Sequence, residues 1–168
     1  MNSSLPESIY VTSLDELFWG TILVTITLTM HGFGMLAVLR VNLLVKNWLG
    51  NKTRIVVNLF PIILASWMIL LVHLTEVLVW ALFFLWKGAF VNQSVAYYFS
   101  LNEYTTVGSN FNLPIHWRLL EGMLATAGLL AFAWSTGMLM TLAQEFQDRH
   151  VQLFKQQHGP DGKAKTHP

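Results

Sequence analysis

Hydrophobic positions gather into three long blocks, about Leu17 to Leu39, Ile55 to Trp86 and about Leu119 to Phe146, rather than recurring at the short periods of a soluble core. Roughly 20 apolar residues suffice for a helix to cross a 30 Å hydrocarbon core, so each block is long enough to span a membrane. The first block carries no formal charge. The segment before it holds Glu7, Asp15 and Glu16 but no Lys or Arg, so it lacks the basic start of a cleaved signal peptide and reads as part of a mature helix. The second block exceeds what a straight span requires, which implies tilt, and Pro61 near its start predicts a turn or kink. The third follows a break at Pro114 and contains Gly128 and Gly137, small residues suited to close packing or bending.

Between the second and third blocks, Lys87 to Arg118 is too polar and too short for another span with two proper ends, yet it is rich in aromatics: Phe90, Tyr97, Tyr98, Phe99 and Tyr104. It reads as a re-entrant segment. Non-helical backbone at membrane depth is tolerated only where protein buries it or where it lines a water-filled cavity, so such a segment implies a pore or a site.

Composition agrees: 54% of the 168 residues are hydrophobic and 11% charged, against roughly a quarter charged in soluble domains, and mean hydropathy is +0.48. The absence of Cys excludes a disulfide framework, a thiolate nucleophile and a Cys-ligated metal. Net charge is only +1, but its placement is informative. Arg40, Lys46, Lys52 and Arg54 cluster between the first two spans without an acidic residue among them, which predicts an outward N-terminus. The polar tail from Gln147, with Arg149, Lys155, Lys163 and Lys165, then falls in the cytoplasm as a partly disordered end. The basic loop is explained by topology or by anionic lipid, and no nucleic-acid patch or phosphate-cradling Gly loop is present.

The run Ser100-Leu101-Asn102-Glu103-Tyr104-Thr105-Thr106-Val107-Gly108-Ser109-Asn110 resembles the pore-helix end and selectivity filter of the potassium-channel family, whose signature is Thr-Thr-Val-Gly-Tyr-Gly-Asp between an outer and an inner helix. The resemblance covers roughly Ile55 to Phe146 in order and spacing. It implies an all-α membrane fold: three transmembrane helices, a re-entrant pore helix at about Gln93 to Tyr104, and a filter loop, assembled as a homotetramer in the lipid bilayer. The implied division is an external segment at 1–16, an extra transmembrane helix at 17–46, a pore module at 55–146 and a cytoplasmic tail at 147–168. An ion leaves water only where oxygens replace its hydration shell, and consecutive backbone carbonyls repeated around an axis supply them. By resemblance the filter comprises Thr105, Thr106, Val107, Gly108, Ser109 and Asn110, with potassium held at Thr106, Val107 and Gly108. The pore helix would aim its negative C-terminal end at the cation.

Where the family has Tyr-Gly-Asp, this chain has Ser109-Asn110-Phe111. Asn tolerates left-handed backbone best among residues with side chains, so Asn110 suits the place of the second Gly. Ser109 lacks the ring that ties the family's filter to its pore helix. The pore-helix acidic residue of many relatives is matched by Asn102, with Glu103 one position off, and both are candidate filter supports. Gly128 falls near the family's hinge Gly. Ala131, Ala133, Ser135 and Thr136 would offer small or polar groups to a cavity. The expected function is passive transport of monovalent cations, potassium first, with no covalent chemistry and no cofactor beyond permeant ions. Three alternatives stay open: a weakly selective cation channel, a non-conducting accessory subunit with the pore fold, and a proton-coupled transporter or membrane enzyme using His73 and Glu76. Compact size and a short tail favour a bacterial plasma (inner) membrane.

The remaining polar residues read as structural. His73 and Glu76 lie at i,i+3 on one face of the second helix and are expected to bond each other and the back of the pore helix, bracing the filter. His31 is placed in the inner half of the first span, too far in depth to join them, so the three are not expected to form a metal centre. Trp117-Arg118 reads as an interfacial anchor, and Glu121 as a charge at the outer mouth or a partner of Arg118. The first helix, with Thr21, Thr25, Thr27 and Thr29, is expected to pack outside the pore module. No span carries Arg or Lys at three-residue spacing, which excludes a voltage sensor of the usual kind, and no regulatory domain fits in the tail.

Overall fold

The structure, a computed structural model, describes residues 11–49 and 55–158. Glu7, Lys52, Arg54, Lys163 and Lys165, on which the expected orientation partly leans, lie outside the described residues, as does the tail from residue 159. The described chain forms α1 (Leu14–Leu49), α2 (Ile55–Trp86), α3 (Gln93–Tyr104), a 3₁₀ turn (Ile115–Trp117) and α4 (Leu119–His158). Stretches of α1, α2 and the Ile115–Asp148 region are long and apolar enough to cross a membrane, the mark of a multi-pass membrane protein. Large apolar side chains such as Phe33, Trp67, Leu71 and Phe132 point outward, an arrangement that hydrocarbon solvates and water does not.

Local chemistry explains the helix limits. Ser13 and Glu16 form a reciprocal capping box at the start of α1: the Glu16 N–H donates to Ser13 Oγ at 3.2 Å and the Ser13 N–H to Glu16 Oε2 at 3.0 Å. Thr21 and Thr25 return their hydroxyls to carbonyls one turn back, which satisfies them in an apolar setting. Pro61 lies inside α2, which continues through it as helix, so no turn interrupts the span there. At the other end of the chain α4 runs on past Phe146 to His158, so the first part of the expected tail is helix.

Contacts divide the chain into two compact units. The first comprises Met1–Gly34 and Leu70–Ala133. Within it α1 and α2 run antiparallel, as the pairing shows: Trp19 meets Phe83 and Trp86, Thr27 meets Trp80, His31 meets Glu76, and Gly34 lies against Val72. Trp80, Phe84, Phe99, Leu120 and Leu124 are fully buried in its core. Glu16, also fully buried, accepts the Leu119 N–H at 3.1 Å, so one carboxylate caps the N-termini of both α1 and α4. Lys87 sits 4.1 Å from the Trp19 ring centroid and 4.2 Å from that of Trp86, a cation–π cage closed by Phe83 and Trp117. Trp117 is therefore core rather than the expected interfacial anchor, since its ring packs edge-on against Phe83.

The second unit comprises Met35–Ile69 and Trp134–Pro168. Met35, Val38, Ala65, Ile69 and Leu142 supply its buried apolar side chains, and Lys46 Nζ pairs with Glu145 Oε2 at 2.6 Å.

Candidate functional site

The site lies in the first unit and is built around the C-terminal end of α3. Asn92 caps the other end, its side-chain oxygen accepting the N–H groups of Ser94 at 2.8 Å and Val95 at 3.4 Å. At the C-terminal end the Thr106 N–H donates to Glu103 O at 3.0 Å and the Val107 N–H to Asn102 O at 2.9 Å, with Thr106 at φ 61°. This is a Schellman ending in which Thr takes the left-handed position usually held by Gly. A β-branched residue there costs about 1–2 kcal/mol, so the conformation is held by its surroundings. Gly108 is left-handed as well, at φ 80°.

Five successive loop N–H groups turn back on α3. Thr105 donates to Leu101 O, Thr106 to Glu103 O, Val107 and Gly108 to Asn102 O, and Ser109 to Glu103 Oε1 at 2.9 Å. In a trans peptide the C=O points opposite the N–H of the next residue, and no cis bond occurs among the described residues. The carbonyls of Thr105, Thr106, Val107 and Gly108 therefore point away from α3. Among the described residues none of them accepts a hydrogen bond, and all four residues are exposed. The Thr105 hydroxyl is committed to its own helix, bonding Leu101 O at 2.8 Å.

The two candidate supports divide their tasks. Asn102 uses its side chain on Tyr98 O and its carbonyl on the loop, whereas the Glu103 carboxylate holds Ser109 directly. Burial, reinforced by the charge of Glu121, raises the Glu103 pKa above its ordinary value, although the Ser109 N–H pulls the other way. Asn110 is exposed, and Phe111 stacks edge-on against Tyr98. Glu121 accepts the Leu113 N–H at 3.0 Å and forms no ion pair with Arg118; it ties down the chain leaving the loop.

Behind the loop, Tyr104 closes α3 and enters a buried polar cluster. Its hydroxyl donates to Glu76 Oε2 at 2.5 Å and lies 2.8 Å from His73 Nδ1. His73 Nδ1 is 3.6 Å from the same carboxylate oxygen, and His31 Nδ1 is 3.0 Å from Oε1. His31 and Glu76 are fully buried. The expected separation of His31 from His73 and Glu76 is thus overturned: each of the three offers a ligand atom within 4.8 Å of the others. Hydropathy does not set the register of one helix against another, and that register decides this contact. In the longer α1, His31 is central, and the antiparallel register with α2 brings it level with Glu76.

Gly128 is the close-approach point of α4. A Cβ there would stand 2.0 Å from Tyr104 O, so only Gly lets α4 reach the end of α3. Of the residues expected to face a cavity, Ala131 and Ser135 are buried, which leaves Ala133 and Thr136 on open surface.

No protein-family model matches the chain, and neither the curated proteins nor the solved structures contain a match to it.

Proposed function

We propose that the chain is one subunit of a pore-loop cation channel and that four copies surround a single conduction path for monovalent cations, potassium first among them. The observation that carries this reading is the outward row of carbonyls at Thr105–Gly108, freed because the N–H groups of the run are spent on α3. One such row forms one wall, and replacing a hydration shell takes oxygens on every side, hence the symmetric assembly. In this reading α3 is the re-entrant pore helix, Thr106, Val107 and Gly108 hold the ion, and Gly128 fixes α4 against the filter's base. Ser109 lacks the ring of the potassium-channel pattern, and Glu103 takes over the tie between filter and pore helix. The N-terminus lies outside, following the basic residues between α1 and α2.

Purified protein in planar bilayers, recorded under a potassium gradient and then with potassium and sodium on opposite sides, tests the proposal. The expected result is a current reversing near the potassium equilibrium potential and abolished by Gly108→Asp. No current from the intact chain, or current unaffected by that substitution, would overturn it.

A further inference from the structure

The polar cluster behind Tyr104 has the composition and spacing of a metal centre, and we propose that it binds one divalent transition-metal ion of the zinc class through His31 Nδ1, His73 Nδ1, the Glu76 carboxylate and the Tyr104 hydroxyl oxygen. This inference stands apart from conduction and holds whether or not the loop passes ions.

Two observations lead to it. The first is charge. Glu76 is fully buried, and its partners are His31, His73 and Tyr104; among the described residues no Lys or Arg pairs with it. A carboxylate among apolar helices is costly unless a positive charge sits beside it, and a divalent ion between two neutral imidazoles supplies that charge. The second is geometry. Donors about 2.0–2.1 Å from a tetrahedral ion stand about 3.3 Å from one another. Here His31 Nδ1 to Glu76 Oε1 is 3.0 Å and His73 Nδ1 to Glu76 Oε2 is 3.6 Å, close to that spacing, while Tyr104 Oη, 2.8 Å from His73 Nδ1 and 2.5 Å from Glu76 Oε2, has to draw back to take the fourth corner. The four donors come from α1, α2 and α3, so the ion would pin three helices at one point. Two imidazole nitrogens with two hard oxygens favour Zn²⁺ and its neighbours over Ca²⁺ or Mg²⁺, which take oxygen alone. The His73 side chain, 14% exposed, gives the ion its way in.

The test uses the full chain in detergent micelles, stripped with EDTA and titrated with Co²⁺, whose visible bands report four-coordinate binding. Uptake of one Co²⁺ per chain, displaced by Zn²⁺, is expected. X-ray absorption of the Zn²⁺-loaded protein should show a nitrogen/oxygen shell at about 2.0–2.1 Å with imidazole outer scattering. His31→Gln and Glu76→Gln should each weaken uptake at least tenfold, whereas His116→Gln on the exposed 3₁₀ turn leaves it unchanged. No saturable uptake by the intact protein would overturn the proposal. So would uptake that survives both cluster substitutions. Should those variants fail to fold, the absorption spectrum of the intact protein decides, and a shell of oxygens without imidazole overturns the site.

Discussion

Tyr104 and Val107 stand three residues apart in opposite surroundings: Tyr104 is 5% exposed and held in a buried network, while Val107 is 75% exposed. The contrast runs through the backbone as well as the side chains. On the α3 side every N–H from Thr105 to Ser109 has an acceptor, whereas on the far side the carbonyls of Thr105–Gly108 have no donor among the described residues. A loop anchored along one edge and open along the other can hold its shape while displaying oxygens. The anchored edge ties the loop to α3, and the open edge is the one on which the proposed conduction path rests.

The largest effect is expected from removing the anchor. Glu76→Ala takes the shared acceptor from His31 and Tyr104 and should destabilise the fold by about 3–5 kcal/mol, read as a fall in thermal unfolding temperature in micelles. Gly128→Ala drives a methyl group into Tyr104 O and should cost about 3 kcal/mol by the same measurement, with loss of flux because the base of the loop shifts. Tyr104→Phe keeps the ring but removes the hydroxyl between His73 and Glu76, for a loss of about 1–2 kcal/mol.

On the open side the effects on stability shrink and those on selectivity grow. Glu103→Gln weakens the hold on Ser109 by about 1 kcal/mol and should shift the bi-ionic reversal potential toward sodium with little change in unfolding temperature. Thr106→Gly relieves the left-handed strain and should stabilise the chain by about 0.5 kcal/mol, since added freedom in the unfolded chain offsets part of the relief.

The helical segments were legible because membrane solvation writes itself as long apolar blocks, and the polar break from Lys87 to Arg118 isolated the stretch that contains α3. What hydropathy leaves open is register. Nothing along the sequence says that Thr27 meets Trp80 or that His31 meets Glu76, because that alignment depends on how far α1 extends beyond its most apolar core. Tyr104 was visible as one aromatic among several; only the antiparallel pairing gives its hydroxyl a purpose. Glu16 had a local signal, the Ser13-x-x-Glu16 spacing of a capping box, but its second task at Leu119 joins residues far apart in the chain. Trp117 resembled an anchor because it borders a span, yet Phe83 and Lys87 draw it into the core. The loop N–H pattern lay beyond sequence reading, since it rests on a left-handed Thr106 that propensity disfavours.

The central claim, that carbonyls from four identical loops make one path, is tested most directly by mixing subunits. Potassium flux is measured from proteoliposomes holding wild-type chains co-assembled with Gly108→Asp chains in varied proportion. If each path needs four intact loops, an equal mixture retains about one-sixteenth of the wild-type flux, the fraction of tetramers with no altered subunit. A fall to about one half would mean that each chain acts alone, and would contradict the account.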